Sequence, residues 1–209
     1  MNFEYKFTVH VSDKVVNCRA FTLREYKNLM EAKLKGTIDQ AIKDLIKKCT
    51  DAQGLNRQES ELLLIKLWAY SLGEVNHEHT WVCSCGREQE VPLNFTHAQI
   101  DEPSAPLVWE FENFKVKFKY PELFDDSNIA MLVAKCIEFI DVDGSLIKVD
   151  DLSDAELDDL YSAISSEALK DIAAMLLKPK VVLAVPISCE CGESNIHVIE
   201  GLKEFFKLL

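Results

Sequence analysis

Apolar and polar positions alternate at the start of the chain. Tyr5, Phe7, Val9 and Val11, followed after Ser12-Asp13-Lys14 by Val15-Val16, predict a β-hairpin over residues 4–18. The period then lengthens. Thr22-Leu23-Arg24-Glu25 has the form of a capping box, with Gly36 as the stop, and predicts a helix over 23–35. Thr37-Ile38-Asp39-Gln40 repeats the box ahead of Ile38, Ala41, Ile42, Leu45 and Ile46, giving a second helix that ends before Gln53-Gly54. Asn56-Arg57-Gln58-Glu59 introduces a third, strongly apolar helix that ends at Gly73.

From residue 75 the texture turns to β, with strands expected at 80–82, 88–95 and 108–118. A helix over about 127–140 follows, then a hairpin about Asp143-Gly144, the dipeptide favoured in tight turns. Ser153-Asp154-Ala155-Glu156 caps an acidic helix to about 164, and another helix runs over about 166–177. Strands at 181–188 and near 195–199 and a short helix at 202–209 close the chain. The expected fold is α+β: an N-terminal β-hairpin, a helical middle, and two Cys-x-Cys-Gly hairpins forming a discontinuous zinc-ribbon-like unit. We expect one interwoven domain over 1–209. It has a helical part at about 20–74, the ribbon-like part at about 75–100 plus 180–200, and an α+β insertion at about 105–178.

Charge narrows the function. With 23 Lys+Arg against 35 Asp+Glu, the net charge of −12 argues against a general nucleic-acid binder. The first residues have no basic, apolar secretion signal, and no stretch is long and apolar enough to span a bilayer, so a cytosolic protein without membrane contact is expected. Seven cysteines in such a compartment read as thiols or metal ligands.

Four of those cysteines fall in two similar segments, Cys83-Ser84-Cys85-Gly86 and Cys189-Glu190-Cys191-Gly192, each between strands. Two thiolates on a tight turn, with a Gly free to take positive φ, form a zinc knuckle, and two knuckles supply the four sulfurs of a tetrahedral site. Cys83, Cys85, Cys189 and Cys191 are therefore the expected ligands of one structural Zn2+ per chain, a closed site with no position for substrate. The competing readings are reduced thiols in ordinary turns, a redox dithiol, and two unrelated turns; the gap within each knuckle is tighter than in common ribbons. His77, His79, His97 or His197 is the weaker choice as a substitute ligand. Cys18, Cys49 and Cys136, among apolar neighbours, read as core thiols.

Other features have plainer explanations. The acidic run Asp141, Asp143, Asp150, Asp151, Asp154, Glu156, Asp158 and Asp159 lacks the ligand spacing of a calcium loop and fits a turn followed by a solvated helix. Phe114, Val116 and Phe118, alternating with lysines, read as a strand with one wet face rather than a nucleotide platform. The terminal Phe205-Phe206-Lys207-Leu208-Leu209 reads as a docked helix rather than an exposed anchor, with a partner-binding tail as the alternative. No motif of phosphate binding, nucleophilic hydrolysis or zinc proteolysis is present, and no catalytic residue is assigned.

Residues Phe21-Thr22-Leu23-Arg24-Glu25-Tyr26-Lys27, then Lys66-Leu67-Trp68-Ala69-Tyr70-Ser71-Leu72-Gly73-Glu74, then Cys83-Ser84-Cys85-Gly86 resemble the baseplate hub and hub assembly proteins of T4-like tailed bacteriophages. The resemblance implies a non-enzymatic, late-expressed protein that helps assemble the central hub of a contractile tail, as an assembly chaperone or a minor hub subunit. It implies partners among hub ring, spike-lysozyme or other hub assembly proteins, in the host cytoplasm or in the virion's baseplate. Two other functions compete with this one. A nucleic-acid-binding zinc ribbon would need basic knuckles, whereas Arg87 stands among Glu88, Glu90, Glu190 and Glu193. A redox-switched chaperone would use the same cysteines to release zinc on oxidation.

Overall fold

A computed structural model describes residues 4–73, 76–101, 106–126 and 128–208. In chain order these form β1 (Lys6–Val11), β2 (Lys14–Arg19), α1 (Leu23–Lys35), α2 (Ile38–Cys49) and α3 (Arg57–Leu72). Next come β3 (Asn76–Val82), β4 (Glu88–Asn94), β5 (Gln99–Asp101), β6 (Val108–Glu110), β7 (Lys115–Phe118) and α4 (Ile129–Cys136). The last elements are β8 (Ile137–Val142), β9 (Ser145–Lys148), α5 (Asp154–Ala163), α6 (Ser166–Leu177), β10 (Lys180–Ser188), β11 (Ser194–Glu200) and α7 (Leu202–Leu208). The protein is thus mixed α+β, with the expected N-terminal hairpin followed by three helices. The chain divides into two compact units, one of residues 1–101 with 180–209 and one of residues 102–179.

In the first unit, α3 is the hub of the packing. Leu62, Leu63, Leu64, Ile65, Leu67 and Ala69 are all buried, so the helix is covered on every side and shows no amphipathic stripe. Its first turn also buries Gln58, Glu59, Ser60 and Glu61. The two carboxylates have cationic partners: the Glu59 carboxylate accepts from Asn56 N–H at 2.9 Å and from Lys14 Nζ at 2.9 Å, and Arg57 pairs with Glu61 at 3.3 Å. Around the helix stand the β1–β2 hairpin, with Val9 paired to Val16, and the aromatic group Phe21, Tyr26, Trp68 and Phe206. Phe205 of α7 is fully buried, its ring 5.8 Å from that of Phe95.

Capping sets the helix boundaries. Thr22, Asn56 and Ser153 all form capping boxes, with Glu25, Glu59 and Glu156 respectively. The box expected at Thr37 does not form: its side chain makes no cap bond, and Gln40 donates instead to Asp44 at 2.9 Å, one turn along the exposed face.

The second unit is the antiparallel sheet β6-β7-β8-β9 with α4, α5 and α6. Val116, Phe118 and Ile140 from the sheet share a buried cluster with Leu132, Val133 and Cys136 of α4, Leu160 of α5, and Ile172 and Leu176 of α6. Two expectations change here. The strand foreseen over 108–118 is a hairpin, because Glu112-Asn113 interrupts the alternation and Phe111 N–H donates back to the Phe114 carbonyl at 2.8 Å. The helix foreseen to residue 140 ends at Cys136, and 137–142 is a strand, since β-branched Ile137 and Ile140 pair with β7 and cover its core face. The expected start of this helix at 127 and the expected end of the last helix at 209 lie outside the described residues. The Asp143-Gly144 turn forms as predicted, both residues at positive φ (50° and 84°), with Asp141 accepting from Gly144 N–H at 2.9 Å.

Candidate metal centre

The β3–β4 and β10–β11 hairpins repeat each other. Each has seven antiparallel rungs closing on a knuckle, and the registers correspond position for position: Val82 opposite Glu88 matches Ser188 opposite Ser194, and Asn76 opposite Asn94 matches Val182 opposite Glu200. The turns match as well. Cys83 N–H donates to Arg87 O at 2.9 Å and Gly86 N–H to Cys83 O at 2.8 Å; Cys189 N–H donates to Glu193 O at 2.8 Å and Gly192 N–H to Cys189 O at 2.9 Å. Gly86 and Gly192 sit at φ 84° and 92°, a region costly for any residue with a Cβ.

The two knuckles meet head to head. Cys83 Sγ lies 3.7 Å from Cys191 Sγ, Cys85 Sγ lies 3.8 Å from Cys189 Sγ, and all four sulfurs lie within 4.8 Å of one another. Four thiolates bound to zinc at about 2.3 Å with tetrahedral angles would be spaced about 3.8 Å apart. Donor type, number and spacing therefore all fit that ion. The first cysteine of each knuckle is buried and the second exposed, so the repeat extends to burial.

Side chains tie the turns together reciprocally. Ser84 of the first knuckle donates to Glu193 of the second, and Arg87 of the first pairs with Glu190 of the second. Cys83 Sγ also donates to the Glu193 carboxylate at 3.2 Å. The Glu193 backbone N–H favours the Cys191 thiolate, but the neighbouring sulfurs of Cys189, Cys83 and Cys85 outweigh it and push that thiol up to about 12. A divalent cation between the four sulfurs would favour the thiolate at Cys191.

The histidines stand apart from the sulfur cluster. His79 and His197 stack on one another with centroids 4.6 Å apart, His77 stacks on Phe95 at 6.2 Å, and His97 is exposed at the end of a short 3-10 turn. Burial, then the His79 charge, holds His197 below its ordinary value. Cys18, Cys49 and Cys136 are buried thiols pushed up, chiefly by burial, to about 12, 11 and 11. In the acidic run, Asp141 serves the turn and Glu156 the cap of α5.

The sequence pattern did not announce the Ser84–Glu193 and Arg87–Glu190 links, nor β5, which pairs with β10 as Ile100 to Val181. The opposite charges at matching turn positions were the available signal for the first; three residues beside a 3-10 turn left none for the second.

Over residues 2–207 the chain matches the family described as T4 bacteriophage base plate protein. It belongs to that family. It is 55% identical over 208 residues, 99% of this chain and all of the relative, to the baseplate hub assembly protein gp26 of Enterobacteria phage T4. No solved structure matches. The family membership agrees with the resemblance carried by the segments around Phe21, Trp68 and Cys83. Among the described residues no helix is long and apolar enough to cross a membrane.

Proposed function

We propose that this protein is a non-enzymatic assembly factor for the baseplate hub of a contractile phage tail. It acts in the host cytoplasm on other hub proteins and is held in shape by one structural zinc on Cys83, Cys85, Cys189 and Cys191. The observation that carries the assembly role is the end-to-end match to a baseplate hub assembly protein. The zinc reading rests on the four-sulfur geometry. A site of four protein thiolates has no open coordination position, so the metal's role is to bind the two ends of the chain into one interwoven unit rather than to act on a substrate.

The nucleic-acid alternative draws little support from the knuckles, where the Arg87 charge is matched by Glu190. The test is reconstitution. Purified hub proteins should assemble faster or more completely with this protein than without it, and equal rates and yields would refute the assembly role. Elemental analysis of the purified chain should find one zinc, and its absence from correctly folded protein would refute the metal reading separately.

A further inference from the structure

The repeated hairpins carry an internal comparison. Their backbones correspond rung for rung, yet the solvent-facing positions differ in chemistry. On β3–β4 these include Glu78, Glu88, Glu90 and Pro92, a largely charged face on which Val82, 57% exposed beside the knuckle, is the aliphatic exception. The corresponding residues on β10–β11 are Ala184, Ser194, Ile196 and Val198, with Ile196 62% and Val198 52% exposed. The shared architecture does not require this apolar pair on the edge strand, because the sister hairpin carries Glu90 and Pro92 in its place.

The free edge shows the same contrast. Cys189 N–H to Glu193 O and Gly201 N–H to Val181 O, both 2.8 Å, fix the phase of the ladder, so the backbone groups of Ser194, Ile196 and Val198 point away from β10. Pro186, which has no N–H to give, stands opposite Ile196 as that phase demands. Among the described residues no strand pairs with this side of β11, and the Ile196 N–H is bonded only to the neighbouring Asn195 side chain, at 2.7 Å. On β4 the matching outward positions are Glu88, Glu90 and Pro92, two charges and a missing donor, which are the usual obstacles to strand addition. Residues 194–199 of β11 contain no Asp, Glu, Lys, Arg or Pro.

We propose that β11 is a self-association edge: two copies of this chain join antiparallel through it, extending each β5-β10-β11 sheet across a two-fold axis at His197. In that register Ile196 of one copy lies opposite Val198 of the other, each pair exchanging N–H and C=O, with their side chains extending the apolar face. Ser194 of one copy meets Glu200 of the other. Glu200 is already paired with Lys180 at 2.8 Å, so no like charges are opposed and the overall −12 is not concentrated at the seam. The strand is thus complementary to itself, and a second copy supplies every residue the edge needs.

Sedimentation equilibrium of the full chain across the micromolar range tests this. The expected result is a monomer–dimer equilibrium. Giving β11 the chemistry of β4, as Ser194→Glu/Ile196→Glu/Val198→Pro, should weaken it by roughly tenfold or more. Amide exchange at Ile196 and Val198 should slow as concentration rises. Should the triple variant not fold, Ile196→Gln alone decides, with an unchanged circular dichroism spectrum as its control. A chain monomeric at every concentration, or a dimer that Ile196→Gln leaves unchanged, would overturn the proposal. So would a monomer that uses β11 to pair with a strand of another hub protein.

Discussion

Cys83 and Cys191, 108 positions apart in the chain, stand with their sulfurs 3.7 Å apart, the first cysteine of one knuckle facing the second cysteine of the other. Cys85 and Cys189 repeat the relationship at 3.8 Å. This head-to-head crossing makes one site from two turns.

Replacing Cys191 by Ser should take the zinc content from one per chain to near zero, and chelation of the wild type should do the same. Structural zinc contributes on the order of 10 kcal/mol, comparable to the whole stability of an ordinary domain. Thermal melting should therefore show the first unit largely unfolded without metal. Cys136→Ser, at a buried thiol of the second unit, should leave the zinc content unchanged.

Gly192→Ala isolates the turn from the ligands. No atom lies within 4 Å of where its Cβ would go, so the cost is conformational and should be about 1–2 kcal/mol, with zinc retained but held less tightly. Gly86→Ala should behave alike. Competition with a chromophoric chelator would measure both.

Glu25 gives a pH signature. Arg19 holds it with two bonds of 2.7 and 3.0 Å and Thr22 N–H donates to it at 2.8 Å, lowering its carboxyl to about 2. A carboxyl with a depressed folded value stabilises fully above its unfolded value near 4.5 and loses that contribution as pH falls toward about 2. Glu25→Gln should cost about 1–3 kcal/mol at neutral pH and flatten the stability profile across this window, as read from urea midpoints.

Packing should rank the apolar positions. Phe205→Ala should cost about 3–5 kcal/mol and loosen α7 from Phe95, and Leu64→Ala about 2–5 kcal/mol. Leu34→Ala, at a side chain 89% exposed, should stay within about 0.5 kcal/mol. Chemical denaturation would rank the three.

Elements whose boundaries depend on local chemistry could be read from the sequence. Thr22-x-x-Glu25, Gly36 and Ser153-x-x-Glu156 each mark a boundary that the structure keeps. The four cysteines were recognisable as a set because the two knuckles resemble each other, and the structure gathers the set. Where tertiary context decided, the reading failed. Thr37 had the letters of a cap, but Gln40 found Asp44; Ile137 and Ile140 continued a helical spacing, but their partners were across a sheet. The pairing of β5 with β10 and the reciprocal links between the turns depend on which distant strands meet, and apolar periodicity carries no information about that.

Asp101 and Lys180 are paired neighbours on β5 and β10. The first unit is interrupted between them by residues 102–179, and the two points of interruption are adjacent on one ladder, about 5 Å apart. In engineering terms the second unit is a cassette on a single doorway. A tight turn such as Asn-Gly spliced between those two strands would close the gap, and a shortened chain of the first unit could be made without moving a cysteine of the cluster.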